Sequence, residues 1–430
     1  MNIPNQLPTH RRQFLKTGGL AAAAMAFPIT ARAQEGGEKI LRVALIGCGG
    51  RGTGAATQSL AVPGTKLVAM ADAFEDNVNL AYETLKKQMG DKVDVPAEKR
   101  FHGFDAYKKA IDEADLVLLC TPPGFRPTHF EYAVEKGKHV FMEKPVAVDG
   151  PGVRKVIEAA KAADAKKLKV VCGLQRHYQN SYIETLAKVK EGMIGDIVNA
   201  QVYWSGGGVW TRPRQEGMTE MEYQMRNWYY FNWLCGDHIN EQHIHNLDVG
   251  NWFMGAHPTK AVGMGGRTKR VGKEWGEIYD HHYVEYTYPD GTIMNSQCKH
   301  WEGTWSKVSE TIIGSKGTAT PGVIQDRTGK IIWRFSGENN NPYQTEHDVL
   351  VQRIREDKPI NDAIYTAEST LTAIMGRMAS YSGAEITWEQ ALNSDLDTMP
   401  KALAWDADPG PKPGADGMYP APIPGETKVV

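Results

Sequence analysis

From residue 41 to about 174, short apolar runs alternate with stretches of helical spacing. The runs at 41–46, 66–71, 115–120, 139–143 and 169–174 read as strands. Between them, 49–60, 74–87, 128–136 and 153–163 carry apolar positions at helical intervals. Near-continuous apolar strands separated by helices predict a parallel, doubly wound sheet with right-handed crossovers. The pattern changes near residue 180. Runs at 197–204, 261–265, 282–288 and 292–299 are longer and alternate polar with apolar, and Pro289-Asp290-Gly291 makes a turn between the last two. Helical spacing returns only at 182–191, around 241–253 and at 366–381. The predicted fold is therefore α/β: a Rossmann-like parallel sheet over 40–175, then an α+β domain over 176–385 with a mostly antiparallel sheet. Residues 386–430 read as a tail. From Asp408 it is rich in Pro and Gly, and is expected to be extended over a partner subunit or disordered.

The first 33 residues follow a different logic. Arg11-Arg12, Phe14, Leu15 and Lys16 precede a weakly apolar run at 18–29, and Ala31-Arg32-Ala33 offers a small-x-small cleavage site. The run is shorter than the roughly 20 residues a membrane span needs. This is the pattern of a twin-arginine signal, so the Tat export machinery is an expected partner and the periplasm the expected compartment. That route carries folded proteins, so a cofactor can be loaded before export. The remaining chain, close to 400 of the 430 residues, is long enough for two domains. A net charge of −2 gives no electrostatic case for nucleic acid, and nothing after the signal is long and apolar enough for a membrane span. Five cysteines, an odd number placed mostly in strands, argue for buried thiols over a disulfide framework. Eleven Trp and seventeen Tyr concentrate after residue 200, which suits carbohydrate stacking and also a sheet core.

Gly47-Cys48-Gly49-Gly50-Arg51-Gly52 fits G-x-G-x-x-G after a strand and at the start of a helix, with Asp72 closing the next strand. Gly47 permits the turn, Gly49 the approach of a pyrophosphate, and Gly52 close packing of helix on sheet. Gly50 and Arg51 complete the loop. Asp72 would accept the adenosine ribose hydroxyls and repel a 2′-phosphate, so NAD is favoured over NADP. Thr121-Pro122 ends the third apolar run at the expected switch point, where the nicotinamide half would lie.

These features, with His129 and above all Glu143-Lys144-Pro145 after a strand, resemble the Gfo/Idh/MocA oxidoreductases over about residues 41 to 380. The resemblance implies a sugar or cyclitol substrate, a cofactor site that includes His129, Glu143 and Lys144, and Lys144 beside both the nicotinamide and the reacting hydroxyl. It also implies dimers or tetramers formed through a large open sheet of the second domain. Chemistry agrees on the lysine: oxidising a carbinol needs a base for the hydroxyl proton and a cation near the developing alkoxide. The second catalytic element by resemblance is Glu241-x-x-x-His245 followed by Asp248. Four-residue spacing predicts Glu241 and His245 on one helix face, with His245 as acid/base and Glu241 orienting it. Glu241 stands where the family more often has aspartate, and His243 where glycine is common.

Two further readings accompany that one. Asp237, His238, Glu241, His243 and His245, with His281 and His282, are metal-ligand types, although the preferred assignment has no metal. Arg176 and Tyr178, after the last parallel strand, and Trp204, Trp210, Arg212 and Arg214, around a glycine-rich loop, are candidates for sugar contact, with packing as the alternative for the tryptophans. Three functions compete. The first is a dehydrogenase or sugar–sugar oxidoreductase with tightly held NAD. The second is an NAD-dependent glycosidase working through transient C3 oxidation, elimination, hydration and re-reduction. The third is a carbohydrate-binding protein on an inactive fold.

Overall fold

The computed structural model describes residues 40–430, which form one compact unit; the export signal and its cleavage site lie outside the described residues. Six strands make the first sheet: β1 Leu41–Ile46, β2 Thr65–Asp72, β3 Arg100–His102, β4 Leu116–Leu119, β5 His139–Met142 and β6 Val170–Cys172. All pair in parallel in the order β3-β2-β1-β4-β5-β6. β4 is buried along its whole length, as a strand covered by helices on both faces must be. The order reverses between β1 and β4, so the crevice beyond their carboxyl ends is where a doubly wound sheet binds ligands.

The second sheet has nine strands: β7 Ile197–Gly206, β8 Lys260–Gly266, β9 His281–Thr287, β10 Ile293–His300, β11 Lys307–Gly314, β12 Gly317–Thr320, β13 Val323–Asp326, β14 Ile331–Arg334 and β15 Ile386–Thr387. Their order is β14-β13-β12-β11-β7-β10-β9-β8-β15, antiparallel except for the β7–β10 pair. Alternating burial along β9 and β11 shows one covered and one open face. The covering element is the helix Ala363–Ser382, buried almost throughout, which packs on β8, β9 and the helix Gly150–Ala165 and so ties the two sheets together. Gly376 on that helix admits the Tyr286 ring: a Cβ there would lie 1.9 Å from the phenolic oxygen.

The structure corrects the reading of the tail. Residues beyond the helix Trp388–Asn393 lack helix and strand, but they pack on their own chain. Tyr419 is buried, Arg267 donates to its carbonyl at 2.6 Å, and Tyr279 donates to the Pro422 carbonyl at 2.9 Å. Trp405 lies against Phe74 and Phe104, with ring centroids 5.0 and 4.7 Å away. The helix Pro342–Arg355, absent from the sequence reading, returns the chain to the first sheet. No helix among the described residues is long and apolar enough to cross a membrane.

Candidate active site

A cavity of about 700 Å³ opens from the β1–β4 switch point toward the inner face of the second sheet. Its floor is the turn after β1. Gly47 has φ +94°, and a Cβ there would meet the Cys120 backbone at 2.5 Å, so only glycine fits. A Cβ on Gly52 would meet the Gly47 carbonyl oxygen at 1.9 Å, which is the close helix–strand contact expected of this position. Gly49 and Gly50, by contrast, face open space with nothing within 4 Å. The helix Gly50–Ala61 starts without a side-chain cap, leaving its first N–H groups and positive dipole end toward that space. At the end of β2, Asp72 accepts from the Cys48 N–H at 2.7 Å, the Phe74 N–H at 2.9 Å and Asn77 Nδ2 at 3.1 Å. Burial raises the Asp72 carboxyl, and the Phe74 and Cys48 amides oppose that rise. These bonds fill Oδ1 and leave a lone pair on Oδ2. The open glycines, uncapped helix end and fixed carboxylate fit a dinucleotide.

Thr121 and Pro122 line the same cavity, and His129 reaches it from the following helix. His129 Nδ1 lies 3.3 Å from Thr121 Oγ1, and its ring stacks on Tyr107. Burial, with Arg126 adding, lowers this imidazole to about 3, so it is neutral. Arg51 lines the wall and spans two carboxylates, Glu143 at 2.5 Å and Glu346 at 3.2 Å.

Lys144 sits at the end of β5. Its ammonium is paired with Glu241 at 2.9 Å rather than with its neighbour Glu143, and it also donates to the Glu241 carbonyl. Both side chains are about nine-tenths buried. The expected single helix through this segment is two: His238–Glu241 and Ile244–Met254, broken where the His243 N–H reaches back five residues to the His238 carbonyl. Glu241 and His245 thus do not share a helix face, yet both line the cavity, and Glu241 orients Lys144 rather than His245. Glu241 Oε2 and His245 Nδ1 have no hydrogen-bond partner. Burial, then the charges of Lys144, Arg176 and Arg51, push His245 well below the usual imidazole range. Burial pushes Glu241 up, against the pull of Lys144.

The outer wall brings together Arg176, Trp204, Trp210 and Arg212. Trp204 stacks toward His245 with centroids 6.0 Å apart, Arg212 lies 5.4 Å over Trp210, and Arg176 is ion-paired with Glu310 of β11. Three sequence candidates lie elsewhere. Tyr178 donates to Asp362 at 2.6 Å, outside the cavity. Asp248 is buried between His177 Nε2 and Ser369 Oγ, each at 2.8 Å. Arg214 pairs with Glu220 and lies 3.9 Å over Tyr223. Neither Tyr178 nor Asp248 lines the cavity; both are engaged in hydrogen bonds in the interior beside it. Sequence reasoning missed Phe74, Trp228, Tyr229 and Tyr343, all lining residues. The aromatic run Trp228-Tyr229-Tyr230 was the one available signal.

Comparison with known proteins agrees with this geometry. The oxidoreductase family described as having an NAD-binding Rossmann fold matches residues 41–173, and its C-terminal alpha/beta domain matches 187–384. A twin-arginine translocation signal matches 8–28. An inositol 2-dehydrogenase of Rubrobacter xylanophilus is 26% identical over 291 residues, 66% of this chain and 72% of that one. A glycosyl hydrolase family 109 protein of Streptomyces coelicolor is 29% identical over 161 residues, 37% of this chain, and the match spans only 33% of that protein. The aldose-aldose oxidoreductase of Caulobacter crescentus shares the fold, with a TM-score of 0.63 at 18% identity over 81% of this chain and all of the other.

Proposed function

Given that the chain belongs to the Gfo/Idh/MocA oxidoreductase family, we propose that it is an exported, NAD-dependent oxidoreductase acting in the periplasm on a ring hydroxyl of a sugar or cyclitol, with the nucleotide retained through the catalytic cycle. One observation carries the reading: the Lys144–Glu241 pair and a neutral, open His245 converge on the cavity that begins at the glycine turn. In this reading residues 40–175 hold the nucleotide and 176–385 supply the substrate face. The glycine turn with Gly49, Gly50 and Asp72 would hold the dinucleotide, and Thr121, Pro122, His129 and Glu143 the neighbourhood of its nicotinamide.

Bound NAD would supply the hydride acceptor and, once reduced, the hydride donor to the carbonyl of a second sugar, so that one hydroxyl is oxidised and one carbonyl reduced per cycle; the chain supplies the rest. His245, neutral because it is buried beside cations, takes the hydroxyl proton. Lys144, held by Glu241, presents a positive charge to the oxygen as it becomes an alkoxide. Glu241 fixes that ammonium in place at no cost at the moment of reaction. Trp204 and Trp210 offer apolar ring faces to a pyranose, and Arg176 and Arg212 offer donors to its hydroxyls. Exposed Val262, Met264 and Tyr283 on the uncovered sheet face support a homo-oligomer.

A second reading, a glycosidase cycle, is supported by the likeness to glycosyl hydrolase family 109 proteins, and Lys144 and His245 would serve it equally well. The C3 hydroxyl is oxidised to a ketone, a base removes the C2 proton, and the aglycone leaves from C1. Water then adds and the ketone is reduced, so no net redox change occurs. Incubating the exported protein with a panel of pyranosides and inositols and identifying products by NMR decides. Keto sugar or keto cyclitol supports the first reading, released aglycone with intact hexose the second, and unchanged panels sink both.

A further inference from the structure

Behind the reacting groups lies a second, buried cluster that the proposed chemistry does not use. Asp237 and His238 precede the Glu241 turn, and His282 comes from the inner face of β9. All three are wholly buried, and their ligand atoms lie within 4.8 Å of one another. His238 Nδ1 is 3.0 Å from Asp237 Oδ1, and His282 Nε2 is 3.2 Å from Asp237 Oδ2. Neither approach has the alignment of a hydrogen bond: both ring nitrogens of His238 and Nε2 of His282 lack partners.

Proton bookkeeping sharpens the point. His282 Nδ1 lies 2.8 Å from Ser380 Oγ, and that hydroxyl also lies 3.1 Å from the Arg377 carbonyl. With Nδ1 donating to Ser380, the His282 Nε2 lone pair faces the Asp237 carboxylate, the arrangement in which a cation sits between them. Asp237 is held at φ +71° and ψ 162°, a conformation nearly confined to glycine, while its Oδ2 accepts from the Tyr279 N–H at 3.1 Å and from the Tyr381 hydroxyl. Strain of this kind persists where the surroundings over-determine a position. The Ser380 contact is what a metal-ligating histidine receives at its far nitrogen.

We propose that Asp237, His238 and His282 bind a divalent first-row transition ion, zinc by the donor set of two imidazoles and a carboxylate. Ligands about 2.1 Å from a tetrahedral ion stand roughly 3.4 Å apart, close to the separations found here. His300 of β10, with an unpartnered Nδ1, packs beside the cluster with its ring centroid 4.4 Å from that of His238. Glu241, His243 and His245 are not ligands: Glu241 holds Lys144 and His243 Nε2 is bonded to Ser296 at 2.7 Å. The ion's task is structural. It pins the turn that carries Glu241 against Lys144.

The test is metal analysis of the full chain exported from a host with the twin-arginine route. One equivalent of zinc or a neighbouring ion is expected, removable by a strong chelator under mild denaturation. Cobalt(II) added back should give the intense visible bands of a low-coordinate site, and the melting temperature should rise again. His238→Gln and His282→Gln should each lose the ion while retaining nucleotide. Should either variant fail to fold, the cobalt spectrum of the native chain decides alone. Less than a tenth of an equivalent with no cobalt bands overturns the proposal, as does an ion retained in both variants.

Discussion

Two carboxylate–cation pairs stand on either side of the cavity, and they differ in what they leave free. On the cofactor side Arg51 bridges Glu143 and Glu346, so its charge is spent between two acids from distant parts of the chain. Burial and then the nearby Glu143 push Glu346 up, which shows how much that wall depends on a single guanidinium. On the other side Lys144 has one partner, Glu241, whose second oxygen is unbonded, and a neutral imidazole stands nearby. The first pair is a clamp. The second keeps a charge and a base available for a substrate. Mutations on the two sides should therefore separate nucleotide retention from turnover.

The largest separation is expected at Lys144. Lys144→Met should lower kcat by on the order of 10³-fold, as loss of a preorganised charge at a developing oxyanion does, with nucleotide content unchanged by mass spectrometry of the denatured protein. His245→Asn comes next, with a loss of about 10²-fold or more and the same retained nucleotide. His245 also fixes the sign of the pH dependence. Its pKa is depressed, so the basic form survives into acid, and the acid limb of kcat/KM in the native enzyme should lie well below pH 6.5. A limb at or above 6.5 would argue against His245 as the base.

On the cofactor side the pattern should invert. Gly49→Val puts methyls into the open space of the turn, so the chain should fold and melt normally yet purify without nucleotide. Asp72→Ser should weaken NAD by roughly 10- to 100-fold, the range for losing hydrogen bonds to a charged acceptor, and narrow its advantage over NADP. Smallest is a stability effect of the buried histidines. His129 and His347 are each lowered to about 3, chiefly by burial. Between pH 6.5 and 3 the unfolded chain binds protons that the folded chain refuses, so stability falls as pH falls through that window. Melting temperatures recorded from pH 7 to 4 should show it, and His347→Phe should flatten the slope.

The same contrast explains what could be read from the sequence. The glycine turn was legible because its requirements are largely local: Gly47 takes φ +94° at the turn itself, and Gly52 packs on the Gly47 carbonyl within the same strand–turn–helix unit. The parallel sheet was legible because continuous apolar runs have few alternatives. The Asp237–His245 segment was not, because its shape follows from groups far along the chain. Lys144 draws Glu241 away from His245, and the His243 backbone reaches back to His238, so spacing of four no longer means one face. The tail misled for a similar reason. Its Pro and Gly content concealed Trp405 and Tyr419, which find aromatic surfaces only in the folded chain.

The central claim is that the export-competent enzyme carries its own oxidant. It is tested by denaturing protein matured through the twin-arginine route and quantifying the released nucleotide by mass spectrometry. The account predicts close to one NAD per chain, with little NADP. A chain that arrives without nucleotide, or loaded with NADP, would contradict it.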